Sequence, residues 1–295
     1  MLKRSLVFTS PAVLSLKNEQ VVISVKEMPT EKVTVPIEDV GFVMIDNQQV
    51  SVTIPLLNKL TANNVTVVIC NSKGMPTSLL TNLDSNNLQG EILQNQMDMT
   101  EPMKKNLWKQ IVEKKIKNQA LLLSKLGMSS DKLKSYSHHI KSGDADNREG
   151  LAARVYFHEL FGGDFIRDRN IPGVNALLNY GYTVLRAATA RAIVTSGLFP
   201  GIGVFHHNRS NAFPLADDLM EPYRPFVDEI VYRLFVNQEF QLNKGIKQSL
   251  INVLYCDTQF PKAKRPLEVA LSMTTASLVK CISKEVKTLN LPSLP

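Results

Sequence analysis

The segment Gly201–Asp228 reads GIGVFHHNRSNAFPLADDLMEPYRPFVD and combines adjacent histidines with several carboxylates. Its apolar start ends in the two histidines, and Asn, Arg, Ser and Pro then predict a loop over 208–214. The apolar residues that follow recur at helical spacing, so Asp218 and Glu221 fall on one helix face, whereas Asp217 points away and is expected to be solvated. A histidine that meets two carboxylates across a loop is typical of a site for a hard cation. Such sites usually serve hydrolysis or transfer at a phosphate.

A second segment, Ser142–Gly163, predicts a helix that is capped by Ser142 or Asp144 and ends at a diglycine. Glu149 shares a face of this helix with alanines, and such small side chains let another helix approach closely. A carboxylate buried there would need a cation as its partner. The alternative is a solvated glutamate, which the helix dipole favours in the first turns.

Stretches from three parts of the chain resemble one known family. They are EGLAARVYF from Glu149, IPGVNALLNYGYTVLRAATARAIVTSGLFPGIGVFHH from Ile171, and LADDLMEPYRPFVD from Leu215. In this order they resemble the CRISPR-associated spacer-acquisition integrase, the metal-dependent DNA endonuclease of CRISPR adaptation, and the resemblance extends over essentially the whole chain. The spacer between the histidines and the helix is similar to that of the branch that accompanies single-protein RNA-guided effectors.

The resemblance implies which residues form the site. The family's catalytic metal ligands fall on Glu149, His206 and Glu221, although many members carry aspartate where this chain has Glu221. Without the family, His206 reads equally well as a satisfied loop or core histidine. The resemblance places Asp218, His207 and Tyr180 beside the site, while tyrosines at helical spacing are more often core residues. Two carboxylates and an imidazole leave open coordination positions, which suits Mg²⁺ or Mn²⁺ better than zinc.

Charge is distributed unevenly along the 295 residues, whose formal net charge is +7. Residues 1–95 have a net charge of −1, and residues 96–295 have a net charge of +8. The basic second part is therefore the candidate surface for a polyanion. The alternative is that its basic residues only form solvated helix faces. The candidate nucleic-acid contacts are Lys104, Lys105, Lys114, Lys117, Arg186, Arg191 and Arg209, and the polar face that follows Thr100 also carries Lys109 and Lys115.

Periodicity predicts an α+β protein. Short β-branched runs and one inserted helix over 54–63 indicate a small β-rich domain over 1–85. A polar stretch over 86–95 indicates a linker. Residues 96–290 are predicted to form a larger all-helical domain for catalysis and DNA binding, with long helices over 100–126, 175–196, 221–235 and 267–289. The final LNLPSLP is expected to be a flexible tail.

The resemblance also implies partners and a location. It implies a homodimer, paired through the first domain, and two such dimers flanking a dimer of a small adaptation protein to form a heterohexamer. The expected nucleic acids are double-stranded spacer-precursor DNA and the CRISPR leader-repeat, and the RNA-guided effector nuclease is a further candidate partner. The three cysteines show no pairing pattern and no apolar run approaches the ~20 residues that cross a bilayer, so a cytoplasmic protein without membrane contact is expected.

The function implied by the resemblance is insertion of foreign DNA fragments as spacers into a CRISPR array, by metal-assisted cleavage and 3′-hydroxyl strand transfer. Two alternatives stay open. One is a metal-dependent nuclease or phosphodiesterase on RNA or branched DNA, because the basic second part and the missing Gly-rich nucleotide loop favour a polymer without separating DNA from RNA. The other is a non-catalytic nucleic-acid-binding scaffold, against which the intact ligand set argues.

Overall fold

The structure is a computed structural model that describes residues 3–25, 32–72, 74–82, 86–138, 140–206, 208 and 211–295. The chain divides into two compact units, Met1–Asn87 and Leu88–Pro295. The first unit consists mainly of strands and the second mainly of helices. The predicted α+β class, with a strand-rich first part and a helical second part, is therefore confirmed.

The described residues of the first unit form two four-stranded sheets. Its elements are β1 Arg4–Phe8, β2 Ala12–Lys17, β3 Gln20–Val25, β4 Lys32–Pro36, β5 Val40–Ile45, β6 Ser51–Val52, α1 Ile54–Ala62, β7 Thr66–Cys70 and β8 Pro76–Leu80. One sheet has the order β1-β5-β7-β8, with β8 antiparallel to β7, and the other has the order β4-β3-β2-β6. Strand β5 is parallel to both of its neighbours and almost wholly buried, which explains its unbroken apolar run VGFVMI.

The second unit is organised around two long helices, α3 and α6. Its elements are α2 Gln89–Met97, α3 Glu101–Lys125, α4 Asp131–His138, α5 Arg148–Phe161, α6 Val174–Thr195, α7 Pro214–Met220, α8 Arg224–Val236, α9 Lys244–Ile251, β9 Asp257–Phe260, β10 Ala263–Pro266 and α10 Leu267–Ile282. Helix α3 packs against α4, α5 and α8, and α6 packs against α7, α8, α9 and α10. None of the helices in the described ranges is both long enough and apolar enough to span a membrane.

The secondary structure of this unit differs from two of the expectations. The unit is not all-helical, because β9 and β10 pair as an antiparallel hairpin. The segment predicted as a linker, 86–95, is largely helical, because α2 occupies its second half and buries Ile92 and Gln96. The polar composition of this segment suggested a linker. However, the polar side chain of Gln96 is buried and bonds to the backbone of Phe199 and Ile202, as described below.

The last residues of the chain are ordered, contrary to the predicted flexible tail. The side chain of Asn118 in α3 donates from Nδ2 to the Pro292 carbonyl at 3.1 Å and accepts at Oδ1 from the Leu294 N–H at 3.1 Å. Ser293 forms an antiparallel bridge with Gln259 of β9. The buried side-chain amide of Asn118 thus forms hydrogen bonds with backbone groups of the final segment. Such a long-range contact cannot be predicted from composition.

Candidate metal centre

Two of the predicted ligands, Glu149 and Glu221, converge on a single cationic atom in the second unit. The ammonium Nζ of Lys115 in α3 lies 2.6 Å from Glu149 Oε1 and 2.5 Å from Glu221 Oε2. The guanidinium Nη2 of Arg224 lies 2.9 Å from Oε1, the other oxygen of Glu221. The side chains of Lys115 and Glu221 are only 9% and 4% exposed. The structure therefore brings together two carboxylates that are far apart in the sequence, with a cation between them.

These ion pairs set the ionisation of the buried groups. Burial alone would raise the pKa of Glu221, but the positive charges of Arg224 and Lys115 outweigh it and lower that pKa to about 2. Burial also opposes the charged form of Lys115, yet Glu221 and Glu149 together raise its pKa. Glu221 and Lys115 therefore both stay charged at neutral pH.

His206 is held in one orientation by Asp218, whose side chain is fully buried. Asp218 Oδ1 lies 2.6 Å from His206 Nδ1, and the same carboxylate accepts the backbone N–H groups of Val204, Phe205 and His206 at 2.6, 3.0 and 3.2 Å. The hydrogen bond to Asp218 raises the pKa of His206 against the effect of burial. Because Nδ1 is bonded to a carboxylate, Nε2 is the ring nitrogen available to a metal, as in other carboxylate–histidine–metal sites.

Close packing fixes the loop that carries His206. The ring of Phe205 stacks on Trp108 of α3 with centroids 4.2 Å apart and planes 1° apart, and the imidazole meets Trp108 edge-on at 5.6 Å. A Cβ at Gly203 would lie 2.7 Å from the His206 carbonyl oxygen and 2.9 Å from Asp218 Oδ2. Only glycine therefore allows the loop to approach the Asp218 carboxylate this closely.

Gln96 of α2 holds the start of the same loop. Its Nε2 donates to the carbonyls of Phe199 at 2.9 Å and Ile202 at 2.8 Å, and its Oε1 accepts the Phe199 N–H at 2.8 Å. The residue is fully buried, so these bonds satisfy an amide that would otherwise be costly to bury. Helix α2 is therefore part of the framework that positions His206.

Glu149 is positioned by the start of α5. The helix begins at Arg148, and its cap is Asn147, whose side chain accepts a backbone N–H of the first turn. Asp144 accepts the N–H groups of Arg148 and Glu149 at 2.8 and 3.0 Å, whereas Ser142 only begins a separate short 3₁₀ turn. The prediction that the helix starts at Ser142 or Asp144 is corrected, although Asp144 does bond to its free N–H groups.

The donor set fits a hard divalent cation. Oxygens of Glu149 and Glu221 already meet at one cationic atom, and Asp218 holds the imidazole of His206 with Nε2 available. Carboxylates with one imidazole are ligands that suit Mg²⁺ or Mn²⁺. In the part of the chain that the structure describes, no three acidic, histidine or cysteine side chains enclose a metal-sized position. Lys115 lies where the two glutamates meet.

Two residues of this centre were missed or misplaced by pattern reading. Lys115 was assigned to a solvated or DNA-contacting lysine face, but it is buried. A signal for its burial exists, because it follows the buried Ile111 by four positions and therefore continues an apolar stripe. Arg224 follows Glu221 by three positions, which is the spacing of an ion pair on one helix face.

Two of the three arginines predicted to contact nucleic acid, Arg186 and Arg191, are paired within the protein. Arg186 Nε lies 2.8 Å from Asp217 Oδ1, so Asp217 is not the solvated carboxylate that was expected. Arg191 forms an ion pair with Glu268 of α10. Both guanidinium groups therefore have a carboxylate partner before any ligand binds.

The lysines of α3 differ in their environments. Lys104 and Lys117 pair with glutamates of their own helix at 3.2 and 2.5 Å. Lys114 is partly buried, donates to Ser293 Oγ at 3.2 Å, and has a pKa lowered mainly by burial. Lys105 is exposed and remains the most accessible of the four. The predicted residues His207 and Arg209 lie outside the described residues.

A buried carboxylate, Asp228, lies beside the centre and was not singled out from the sequence. It accepts the hydroxyl groups of Tyr156 at 2.8 Å and Tyr182 at 2.5 Å. Tyr182 lines a cavity of about 260 Å³ together with Lys115, Glu221 and Asp228. Tyr180, the predicted neighbour of the site, is a fully buried residue of α6, and its ring faces the ammonium of Lys247 at 5.7 Å.

Asp228 is expected to make the stability of the metal-free protein depend on pH. Burial raises its pKa from 3.8 to about 6, against the opposing effects of the two tyrosine hydroxyls, Arg224 and Lys115. The folded protein binds this proton more tightly than the unfolded chain, so its stability falls as pH rises from about 4 to 6. Asp228→Asn removes the titrating carboxyl group and so removes this loss of stability. In thermal scans with EDTA, the melting temperature of the variant minus that of the wild type should therefore increase as pH rises from about 4 to 6.

The matched control for this pH dependence is Asp131→Asn in α4, whose side chain is 91% exposed. Its melting temperature should follow the wild-type curve between pH 4 and 7. The loss of the Glu221 ion pairs falls in a separate window below about pH 4.5, because that pKa is lowered. Parallel curves for Asp228→Asn and the wild type between pH 4 and 6 would show that Asp228 does not titrate there.

A family model and a relative of known name both match this chain over most of its length. Residues 6–255 match the family model described as "CRISPR associated protein Cas1". The chain is 36% identical to the CRISPR-associated endonuclease Cas1 of Neisseria meningitidis serogroup C (strain 8013), over 99% of this chain and 96% of that protein.

Solved structures share the fold. A casposase bound to an integration product has a TM-score of 0.79 and 20% identity, over 98% of this chain and 93% of that chain. A chain of a Cas6-RT-Cas1–Cas2 complex has a TM-score of 0.75 and 20% identity, over 99% of this chain and 36% of that longer chain. At this identity the two structures support the architecture and not the individual site residues.

Proposed function

Because the chain belongs to the Cas1 family of CRISPR-associated proteins, we propose that it is a metal-dependent DNA endonuclease and integrase that inserts spacers into a CRISPR array. The family resemblance drawn from the sequence is confirmed by the comparisons. The observation that carries the proposed chemistry is the convergence of Glu149 and Glu221 on one cation position, together with the orientation of the His206 imidazole by Asp218.

In this proposal Glu149, His206 and Glu221 hold Mg²⁺ or Mn²⁺. Such a cation, when bound, stabilises negative charge on a phosphate under attack and on the departing 3′ oxygen. Arg224 keeps one oxygen of Glu221 fixed, and Asp218 keeps the imidazole in one orientation. Attack by water breaks the phosphodiester bond and leaves a nick. Attack by the 3′-hydroxyl of a bound DNA end forms a new bond to the target phosphorus, while the bond from that phosphorus to the target's own 3′ oxygen breaks and releases a 3′-hydroxyl. Positioning of the DNA selects between the two outcomes.

The proposed partners follow from the family and from the neighbours described above. One neighbour is a casposase with its integration product and another is a complex that contains Cas2. We extend these associations to this chain as double-stranded DNA, a homodimer, and a heterohexamer with a small dimeric partner, and we keep the effector nuclease as a further candidate partner. We also propose that the reaction takes place in the cytoplasm, where the thiols of Cys70, Cys256 and Cys281, which form no disulfide with one another, stay reduced.

The proposal predicts a specific substrate pattern. With Mg²⁺ or Mn²⁺ and the small partner protein, duplex spacer DNA with 3′-hydroxyl ends should be joined to a supercoiled plasmid that carries a leader and repeat. Ends that lack the 3′-hydroxyl should fail to join, because they have no nucleophile, and EDTA should stop both joining and cleavage. Gel analysis of the plasmid and sequencing of the junctions measure the result.

A parallel panel of single-stranded RNA, branched DNA and plain duplex DNA separates the alternatives. Cleavage of RNA at rates above those for any DNA would favour the phosphodiesterase alternative. DNA binding without cleavage or joining of any substrate in either metal would favour the scaffold alternative. Joining that persists in EDTA would contradict the proposed metal dependence.

A further inference from the structure

Lys115 has an unusual environment for a residue of a metal site. Its ammonium lies within 2.6 Å of both Glu149 and Glu221, which are the proposed ligands, and its side chain is 9% exposed. An ammonium group and a divalent cation seek the same oxygens, because both are bound by carboxylates. The two cannot share this position, since their like charges would be only a few ångströms apart in a partly desolvated site.

Charge balance supports an exchange of the two cations. In the metal-free protein, the negative charges of Glu149 and Glu221 are balanced by Lys115 and Arg224. Addition of a divalent cation with both basic residues in place would leave an excess of positive charge in a buried site. Arg224 also contacts the ring of Tyr182, with its guanidinium carbon 4.5 Å from the centroid, so it is anchored on a second side. Lys115 is therefore the residue that must move.

The cavity next to the site contains polar groups that could receive the ammonium. Gln119 lies one helical turn after Lys115 and lines the same cavity of about 260 Å³. Gln119 is 2% exposed, and its buried Oε1 has no hydrogen-bond partner among the residues that the structure describes. A buried acceptor without a donor is uncommon and needs an explanation. The carboxylate of Asp228 lines the cavity as well.

We propose that Lys115 is a positioning residue that holds the place of the metal ion in the metal-free protein and moves toward Gln119 and Asp228 when the ion binds. The proposal rests on the proposed metal site at Glu149, His206 and Glu221. In the metal-free state, the ammonium keeps two like-charged carboxylates together, so the ligands stay arranged for the incoming ion. The cost is that the ion must displace an existing cation.

An ordinary structural ion pair and the proposed role predict opposite effects of removing Lys115 on metal affinity. If Lys115 only supports the fold, its removal disorders the ligands and weakens metal binding. If it occupies the metal position, its removal frees the carboxylates and strengthens metal binding, while the metal-free protein loses stability because the carboxylates repel each other. Metal affinity, measured apart from catalysis, therefore separates the two roles.

The test measures Mn²⁺ binding to the full chain by isothermal titration calorimetry and by electron paramagnetic resonance. Lys115→Met should bind Mn²⁺ about tenfold more tightly or better, because a unit charge next to the site is removed. Lys115→Arg, which keeps the charge, should not gain affinity. Lys117→Met is the matched control, since it removes a lysine of the same helix that pairs with Glu113, and its Mn²⁺ affinity should equal that of the wild type.

Gln119→Leu tests the receiving position while Lys115 stays intact, and it serves if Lys115→Met fails to fold. It should weaken Mn²⁺ binding in the wild-type background, because the displaced ammonium loses an acceptor. It should have no effect in the Lys115→Met background, because no ammonium remains to be displaced. Thermal scans should show that Mn²⁺ raises the melting temperature of Lys115→Met more than that of the wild type.

Failure of this inference is distinguishable from failure of the proposed function. If Glu149→Gln binds Mn²⁺ as tightly as the wild type, the metal site itself is misassigned. If Glu149→Gln loses binding but Lys115→Met binds Mn²⁺ no more tightly than the wild type, the site stands and the exchange of Lys115 is overturned. Equal effects of Gln119→Leu in both backgrounds would also overturn it.

Discussion

Glu149→Gln is expected to lower metal-dependent cleavage and spacer integration by about a thousandfold, since a bound metal ion contributes several kcal/mol of transition-state stabilisation. The amide keeps the shape of the side chain but loses the charge that a divalent cation requires. His206→Ala and Glu221→Ala should have effects of the same size. Rates of plasmid nicking and of spacer joining in Mn²⁺ and Mg²⁺ measure the loss.

Binding of DNA should survive the same change. Affinity for a polyanion comes from phosphate contacts by basic residues, whereas the role proposed for Glu149 is to bind the cation. A salt titration of DNA binding should therefore give the same slope for Glu149→Gln and the wild type. Glu159→Gln, a charge-neutralising change on the same helix α5, is the control and should keep full activity. Integration by Glu149→Gln near the wild-type rate would favour a binding scaffold instead.

The second large effect is expected for Asp218→Ala. This one carboxylate accepts three backbone N–H groups of the histidine loop and the Nδ1 atom of His206. Its removal leaves buried donors without an acceptor, which should cost about 3–5 kcal/mol of folding stability. It also releases the imidazole, which should weaken metal binding by about 10- to 100-fold. Thermal unfolding and Mn²⁺ titration measure the two effects separately.

The neighbouring Asp217→Ala provides the matched control for Asp218→Ala. Asp217 lies on the same helix, but its carboxylate pairs with Arg186 and accepts a hydrogen bond from the side chain of Asn211. Its removal breaks a partly exposed ion pair, so the expected loss of stability is at most about 1 kcal/mol and activity should be retained. Equal losses for the two variants would show that Asp218 acts through general packing of α7 and not through the imidazole.

Local pattern sufficed for the regular parts of the fold. Strands β3, β5 and β7 carry β-branched runs, and α1 shows helical spacing of its leucines, so each lies where periodicity placed it. Strand β8, PTSLL, was not predicted because it is a half-exposed edge strand without a strong alternation. The hairpin of β9 and β10 was missed for a similar reason, since its residues are mainly polar.

Part of the candidate site could also be predicted from local sequence pattern. His206 and Asp218 are close in sequence, so a loop followed by a helix already predicts their approach. The environment of Lys115 could not be predicted in this way, because a lysine becomes a buried partner only when the fold brings Glu149 of α5 and Glu221, just before α8, to it. Asn118 and Gln96 are similar cases, since each polar side chain is buried by backbone groups far away in the chain.

Helix α3 leaves little tolerance for changes in chain length. Trp108 stacks on the histidine loop, Lys115 joins the two glutamates, and Asn118 bonds to the final segment. Because an α-helix turns by about 100° per residue, one inserted or deleted residue between Trp108 and Asn118 would rotate these partners to different sides. Point substitutions on the outer face of α3 preserve the phase of the helix, whereas insertions destroy it. Natural variation in length within this protein should therefore accumulate in loops and not between these two positions.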